Sequence, residues 1–258
     1  MVIEGRFARG NFIRRGPGHA KQIKATAICL AFTMTAFLVT LSACANIPTQ
    51  NAKVSTQEWQ EEFDLTNRKL NHIGETTYFI LKPGFQITLA SQNERLTITV
   101  LNETKEFGDF TTRLVEEREE INGELSEISR NFYAIDQKTG DVFYFGEEVD
   151  FYGGGVITSH SGAWFAYENG NQPGLIMSGN PVAGMKYYQE IAPAVAMDRA
   201  KVVSTSETFT TEVGEFKNCL VTQESSKLQP TAIEYKTYCP GIGIVQDQSL
   251  TLVDYRQQ

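Results

Sequence analysis

The chain predicts a mainly β domain, an antiparallel meander that forms a half-barrel, barrel or sandwich, preceded by one short N-terminal helix. Three observations carry that expectation. From residue 76 onward apolar side chains recur at every second position, as in Phe85, Ile87, Leu89 and then Leu96, Ile98, Val100, the spacing that turns one face of a strand into a core. Asn122-Gly123 sits between two long strand-like runs, and this pair favours the two-residue hairpin turn in which both residues take positive φ. Finally, roughly ten or more strand-length segments follow one another with short turns, which calls for closure or stacking of the sheet.

The N-terminal part has its own logic. Arg6, Arg9, Arg14, Arg15, Lys21 and Lys24 stand against the single acid Glu4, and residues 25–43 then run without a charge. A basic head stays on the cytoplasmic side of a membrane, and an apolar run closed by small residues is the order of a secretory signal. Leu41-Ser42-Ala43-Cys44 resembles the lipobox of bacterial lipoprotein signal peptides. That resemblance implies a diacylglyceryl group on the Cys44 thiol, cleavage before it and acylation of the new amino terminus. Two or three acyl chains hold a protein firmly on a membrane, whereas one binds marginally. Because Ala45 rather than Asp follows the cysteine, the resemblance also implies the periplasmic face of the outer membrane in a source with two membranes. The alternative is an uncleaved helix, since the run approaches the roughly 20 residues needed to span a bilayer. Either exports the rest. The organisation expected is therefore a signal at 1–43, a tether and short helix at 44–75, and an antiparallel β domain at 76–258.

Removing the six basic residues and one acid of the signal from totals of 23 and 31 leaves 17 against 30, a net formal charge of −13. Such a balance argues against nucleic acid and anionic lipid surfaces as partners. It identifies no protein partner. Signal removal also takes Cys29, and acylation occupies Cys44, leaving Cys219 and Cys239 in a compartment that permits disulfides.

Residues 45–54 hold little apolar content and read as a tether. Ser55-Thr56-Gln57-Glu58 fits a capping box, with Trp59 and Phe63 at i, i+4 for a brief amphipathic helix. Strands are expected at 77–81, 85–90 and 96–100, with turns at Pro83-Gly84 and Ser91-Gln92-Asn93-Glu94. The Asn122-Gly123 hairpin joins 111–121 to 124–135, in a register that faces Arg118 with Glu127. Gln137-Lys138-Thr139-Gly140 makes the next hairpin, with Gly140 at the left-handed position, and 142–146 returns.

Residues 147–184 break the alternation with Gly153-Gly154-Gly155 and several Asn, Gly and Pro clusters. Interspersed aromatics argue for a lid or flap over the sheet rather than disorder. Strands resume at 185–191, 199–205, 207–213, 216–224, 232–239 and 242–255. An antiparallel register over 216–224 and 232–239 sets Cys219 opposite Cys239, and also Glu224 opposite Glu234. A bond there would contribute about 3 kcal/mol; the alternative is two buried free thiols.

Four blocks, Tyr78-Phe79-Ile80-Leu81-Lys82-Pro83-Gly84, Ser129-Arg130-Asn131-Phe132-Tyr133-Ala134-Ile135-Asp136, Val142-Phe143-Tyr144-Phe145-Gly146-Glu147 and Glu234-Tyr235-Lys236-Thr237-Tyr238-Cys239-Pro240-Gly241-Ile242-Gly243, are similar to recurring blocks of a group of exported bacterial proteins of unknown function. The likeness implies no activity. A fold-level analogy to periplasmic lipoprotein carriers implies a curved sheet around an apolar cavity.

No catalytic motif emerges. His72 and His160 have neither zinc nor nucleophile-elbow spacing, although His160 with Asp150 and Glu168 could be drawn as a hydrolase site. Glu117 and Glu119 share one strand face about 7 Å apart, and a solvated, anti-aggregation strand is the favoured reading of that acidic run. Glu147, Glu148 and Asp150 lack calcium-loop spacing, and the triple glycine lacks the ending of a phosphate loop. Phe143, Tyr144, Phe145, Trp164, Phe165 and Tyr187 read mostly as core, with some lining a pocket under 151–181. The expected function is thus a lipid-anchored envelope protein that binds or carries an apolar small ligand without a cofactor. The alternatives are a structural or assembly lipoprotein, or an exported hydrolase using His160.

Overall fold

The computed structural model describes residues 58–257. The signal, Cys44, the tether and the proposed cap at Ser55, Thr56 and Gln57 lie outside the described residues.

Eighteen strands and no helix are found among the described residues. β1 (Leu70–Asn71), β2 (Gly74–Glu75) and β3 (Ile80–Leu81) lead in; β2 pairs only with β3. A meander of long hairpins follows: β4 (Gln86–Ala90), β5 (Glu94–Phe107), β6 (Phe110–Ile121), β7 (Glu124–Asp136) and β8 (Val142–Gly153). β9 (Val156–Ser159), β10 (Trp164–Phe165) and β11 (Gln172–Met177) then pair in turn along β8. After the short β12 (Lys186–Tyr188) and β13 (Glu190–Ile191) come β14 (Asp198–Thr211), β15 (Gly214–Ser226), β16 (Glu234–Cys239), β17 (Gly243–Asp247) and β18 (Leu250–Arg256).

β18 returns to pair with β4, so 13 strands run in one path from β12 through β14–β18 and β4–β8 to β11 and β13. The two ends of that path, β12 and β13, are separated by Gln189 alone. Residues 186–191 therefore form the seam of a nearly closed antiparallel barrel, pairing first with β14 and then with β11. Closure needs bent strands, and register shifts supply them in β5, at the β6–β7 and β7–β8 ladders, and repeatedly along β14.

The alternation predicted for the core is observed. Leu89, Leu96 and Leu252 are fully buried on neighbouring strands, each contributing about 2 kcal/mol of apolar burial. Asn122 and Gly123 both take positive φ, 54° and 81°, between Ile121 and its partner Glu124. Three expectations need correction. Trp59 and Phe63 are not on a helix: Gln60 donates to Lys186 O and accepts from Tyr188 N, both at 3.0 Å, because an edge strand with free backbone groups outcompetes a single marginal turn. Trp59 packs on Tyr188 and Phe63 on Phe143. Arg118 faces Ile128 rather than Glu127, since Ser126 is the extra residue of a bulge after the turn. And 198–211 is one strand, with its hairpin at Glu212-Val213 rather than a break at Ser206.

The first turn of the β7–β8 hairpin shows how the segment before β1 is held. Asp136 Oδ1 accepts from the Lys138 and Thr139 amides at 2.8 and 2.9 Å, and Arg68 Nη1 reaches Asp136 Oδ2 at 3.1 Å and Asp141 Oδ2 at 3.3 Å. Burial acts to raise the Asp136 carboxyl, but these donors hold it below the usual carboxylate range. Arg68 also lies over the Phe143 ring.

Candidate functional site: the barrel interior

Cross-strand partners share a face, which sorts the long strands into interior and exterior. Val115 and Glu117 of β6 look the same way as Asn131 and Ser129 of β7, and these the same way as Glu147 and Val149 of β8. On the other wall Tyr187, Ala200 and Glu224 share a face, as do Thr222, Lys236 and Asp247. Both sets face the interior.

Within it lies a cavity of about 90 Å³. Ile87, Ile98, Val100 and Val115 form one apolar wall, Ile242 and Ile244 the opposite one, with Phe79, Tyr133 and Tyr238 contributing rings. Three charged residues also line it: Glu117, Lys236 and Asp247. The volume is below the roughly 300–1,000 Å³ of drug-sized sites, which suits a single alkyl chain or one ring. The stretch 151–181 does not roof this space, correcting the expected lid: it supplies only Ile176 to the lining. Its residues instead build β9 to β11 into the barrel wall, and Gly154-Gly155, with φ of 61° and 81°, is simply the β8–β9 hairpin turn.

The polar side of the interior is organised around Glu224. Its Oε1 accepts from Thr222 Oγ1 at 3.0 Å, Gln189 Nε2 at 3.2 Å and the Tyr238 hydroxyl at 3.4 Å, while Oε2 meets Lys236 Nζ at 3.1 Å. Lys236 Nζ also lies 3.9 Å from Asp247 Oδ2. This resolves the like-charge contact of Glu224 with Glu234 that the cysteine register demands: the next interior residue along β16 is a lysine. Burial, reinforced by Glu224, pushes the Tyr187 and Tyr238 phenols well above their ordinary range, so both stay protonated. The Tyr187 hydroxyl is buried without a hydrogen-bond partner among the described residues.

Facing this, Glu117 Oε1 accepts from Asn131 Nδ2 at 3.3 Å, and Asn131 Oδ1 accepts from the Tyr144 hydroxyl. Phe79, Tyr133, Tyr144 and Trp164 form a column of rings with centroids 4.7 to 5.3 Å apart. Glu119 is likewise buried. The shared face predicted for Glu117 and Glu119 is real, but it is the interior rather than a solvated surface.

A second aromatic cluster, outside the sheet, joins Phe107, Phe132 and Phe165. It is capped by the protein's own Lys105, whose Nζ lies 3.7 Å from the Phe165 centroid and 3.1 Å from Glu148 Oε1. His160 is also exterior: its Nδ1 sits 2.8 Å from Asp150 Oδ1, its side chain is 68% exposed, and Asp150 is shared with Arg130 at 3.0 Å. The pair belongs to a surface charge network that also includes Glu116. Glu147 points inward while Glu148 and Asp150 point outward, so the three do not converge. No group of three or more His, Cys, Asp or Glu among the described residues could hold a metal ion.

Cys219 and Cys239 form a disulfide, fully buried between β15 and β16, with Cα atoms 4.3 Å apart. Leu220 opposite Tyr238 and Glu224 opposite Glu234 confirm the expected register.

Sequence reasoning missed Lys236, Asp247 and Arg113. Lys236 carried a signal: it shares strand parity with Tyr238, an aromatic that the structure buries. Arg113, only 2% exposed, donates to His72 O at 3.1 Å and to Glu103 O at 3.4 Å where β5 bulges, and its guanidinium is lowered in pKa by burial. No local signal announces it.

The fold and interior define a class: a nearly closed antiparallel barrel with buried aromatic clusters and a small, partly polar cavity. Compared with protein-family models, curated proteins and solved structures, the chain matches none.

Proposed function

We propose that the protein is an exported, lipid-anchored module of the cell envelope that binds or carries an apolar small ligand in its barrel. The apolar cavity lined chiefly by β4–β6 and β16–β17 is the observation that carries this reading. The buried disulfide supports export, because such bonds form and persist outside reducing cytosol. Membrane attachment rests on the resemblance of residues 41–44 to a lipobox.

Two measurements test the two halves. Toluene, a single-ring apolar probe, should bind the purified full chain in saturation-transfer NMR, and Val115→Trp, which fills the cavity, should weaken its uptake about tenfold or more. Uptake unaffected by that substitution would remove the cavity as the site. In cells labelled with palmitate, Cys44→Ser should abolish incorporation; label retained at the wild-type level would overturn the anchor.

A further inference from the structure

We propose that a second site, outside the barrel interior, binds an uncharged oligosaccharide, with one sugar ring stacked on Tyr167 in the cleft between the segment before β1, the β5–β6 turn and the loop that enters β11. This site is independent of the cavity reading above. Three features converge on it.

The first is the size and composition of the cleft. It measures about 790 Å³, within the roughly 300–1,000 Å³ of small-molecule sites. Half-buried Phe63 and Phe110 and exposed Tyr167 supply rings, while Asn67, Gln137 and Gln172 supply carboxamides. Gln137 is engaged by Asn71 at 2.7 Å, whereas the side chains of Asn67 and Gln172 make no hydrogen bond among the described residues. A carboxamide both donates and accepts, as a hydroxyl does. A pyranose offers the matching surfaces: C–H groups on its flat face and hydroxyls around its rim.

The second is charge. Asp64 and Asp109 line the cleft together with Arg68 and Lys69, so it carries no formal net charge. Arg68 is already engaged by Asp136 and Asp141, and Asp64 accepts from the Thr66 amide at 2.8 Å. A phosphate or carboxylate ligand finds no surplus of cations here. An alkyl chain would have to strip water from the polar lining without replacing its hydrogen bonds.

The third is the backbone at Tyr167. Its φ of 67° is a left-handed conformation that is costly for a ring-bearing side chain. The loop is held in place: Tyr167 N donates to Asn171 O at 3.0 Å, and Nδ2 of buried Asn171 donates to Phe165 O at 3.1 Å. The ring is thereby set against the Gly108 turn, where a Cβ would lie 3.8 Å from it, with its edge toward Phe145. It is nonetheless 47% exposed. Core packing has no use for a strained, half-exposed ring, whereas stacking on a ligand does.

The test is calorimetric titration of the purified full chain with maltotriose, cellotriose and the N-acetylglucosamine trimer. At least one is expected to bind with a Kd of about 1 mM or tighter. Tyr167→Gly removes the ring and suits the local φ; it should weaken that binding about tenfold, while Tyr167→Phe, which keeps the ring, should stay within about twofold. Gln172→Ala changes an exposed side chain and should weaken binding about threefold, and it serves as the second variant should Tyr167→Gly fail to fold. N-acetyl-triglycine amide, an uncharged peptide, should not compete. Binding by none of the three sugars, a peptide that competes as well as they do, or affinity unchanged in both Tyr167→Gly and Gln172→Ala would overturn the inference. Each of those results would leave toluene uptake by the barrel interior as a separate question.

Discussion

Gly174→Ala is expected to destabilise the protein by about 3 kcal/mol or more, through the seam rather than through the core. A Cβ at this position would lie 2.1 Å from the Gln189 carbonyl oxygen, 2.4 Å from its carbon and 2.9 Å from Glu190 N. All three are backbone atoms, so no side chain can turn aside. Only two residue pairs join β11 to β13, and one uses Pro173, which has no N–H to give. The ring is thus closed by a short ladder with no room for a side chain at Gly174. A thermal melt should fall by roughly 6–12 °C for a domain of this size, and hydrogen exchange should show protection lost first at 172–177 and 186–191. A melt within about a degree of wild type would show that the seam is not close-packed.

Replacing both Cys219 and Cys239 by Ala is expected to cost about 3 kcal/mol, because the bond closes a loop of 20 residues that the unfolded chain must otherwise explore. Both sulfurs are fully buried between β15 and β16, so reductant should act on the folded protein only as fast as that region opens. Denaturant midpoints should therefore drop in the double variant and in protein reduced while unfolded, by the same amount. Equal midpoints with and without reductant would show that the bond contributes nothing. The loop spans the β15–β16 connection, which places Lys236 against Glu224, so reduced protein should also lose toluene binding.

How far the chain announces its fold can be judged from particular residues. Alternation at 85–100 and the Asn122-Gly123 pair specify strands and a turn because those signals are local: side-chain parity and backbone φ do not depend on distant partners. The cysteine register could be stated in advance because one bond fixes it. The bulge at Ser126 could not be, since a one-residue insertion serves the curvature of the whole barrel. For the same reason Glu117 looks like a solvated residue in sequence. Parity shows that it shares a face with Val115; which face is interior depends on closure, a property of the sheet as a whole. Trp59 and Phe63 mislead in the opposite way. Their helical spacing is genuine, but the exposed backbone of Lys186–Tyr188, more than 120 residues away, offers a better partner.

That pairing gives the chain a mechanical character. If residue 44 is held in a membrane, Gln60, with its two hydrogen bonds, and the neighbouring Trp59, with its contacts to Tyr188 and Arg199, are the first of the described residues to bear a pull, before the ladder of β12 with β14. These contacts are few and replaceable, whereas the wall behind them is a continuous ladder. Tension would therefore peel the segment around Gln60 from the barrel before it opens the wall, leaving the cavity's lining in place.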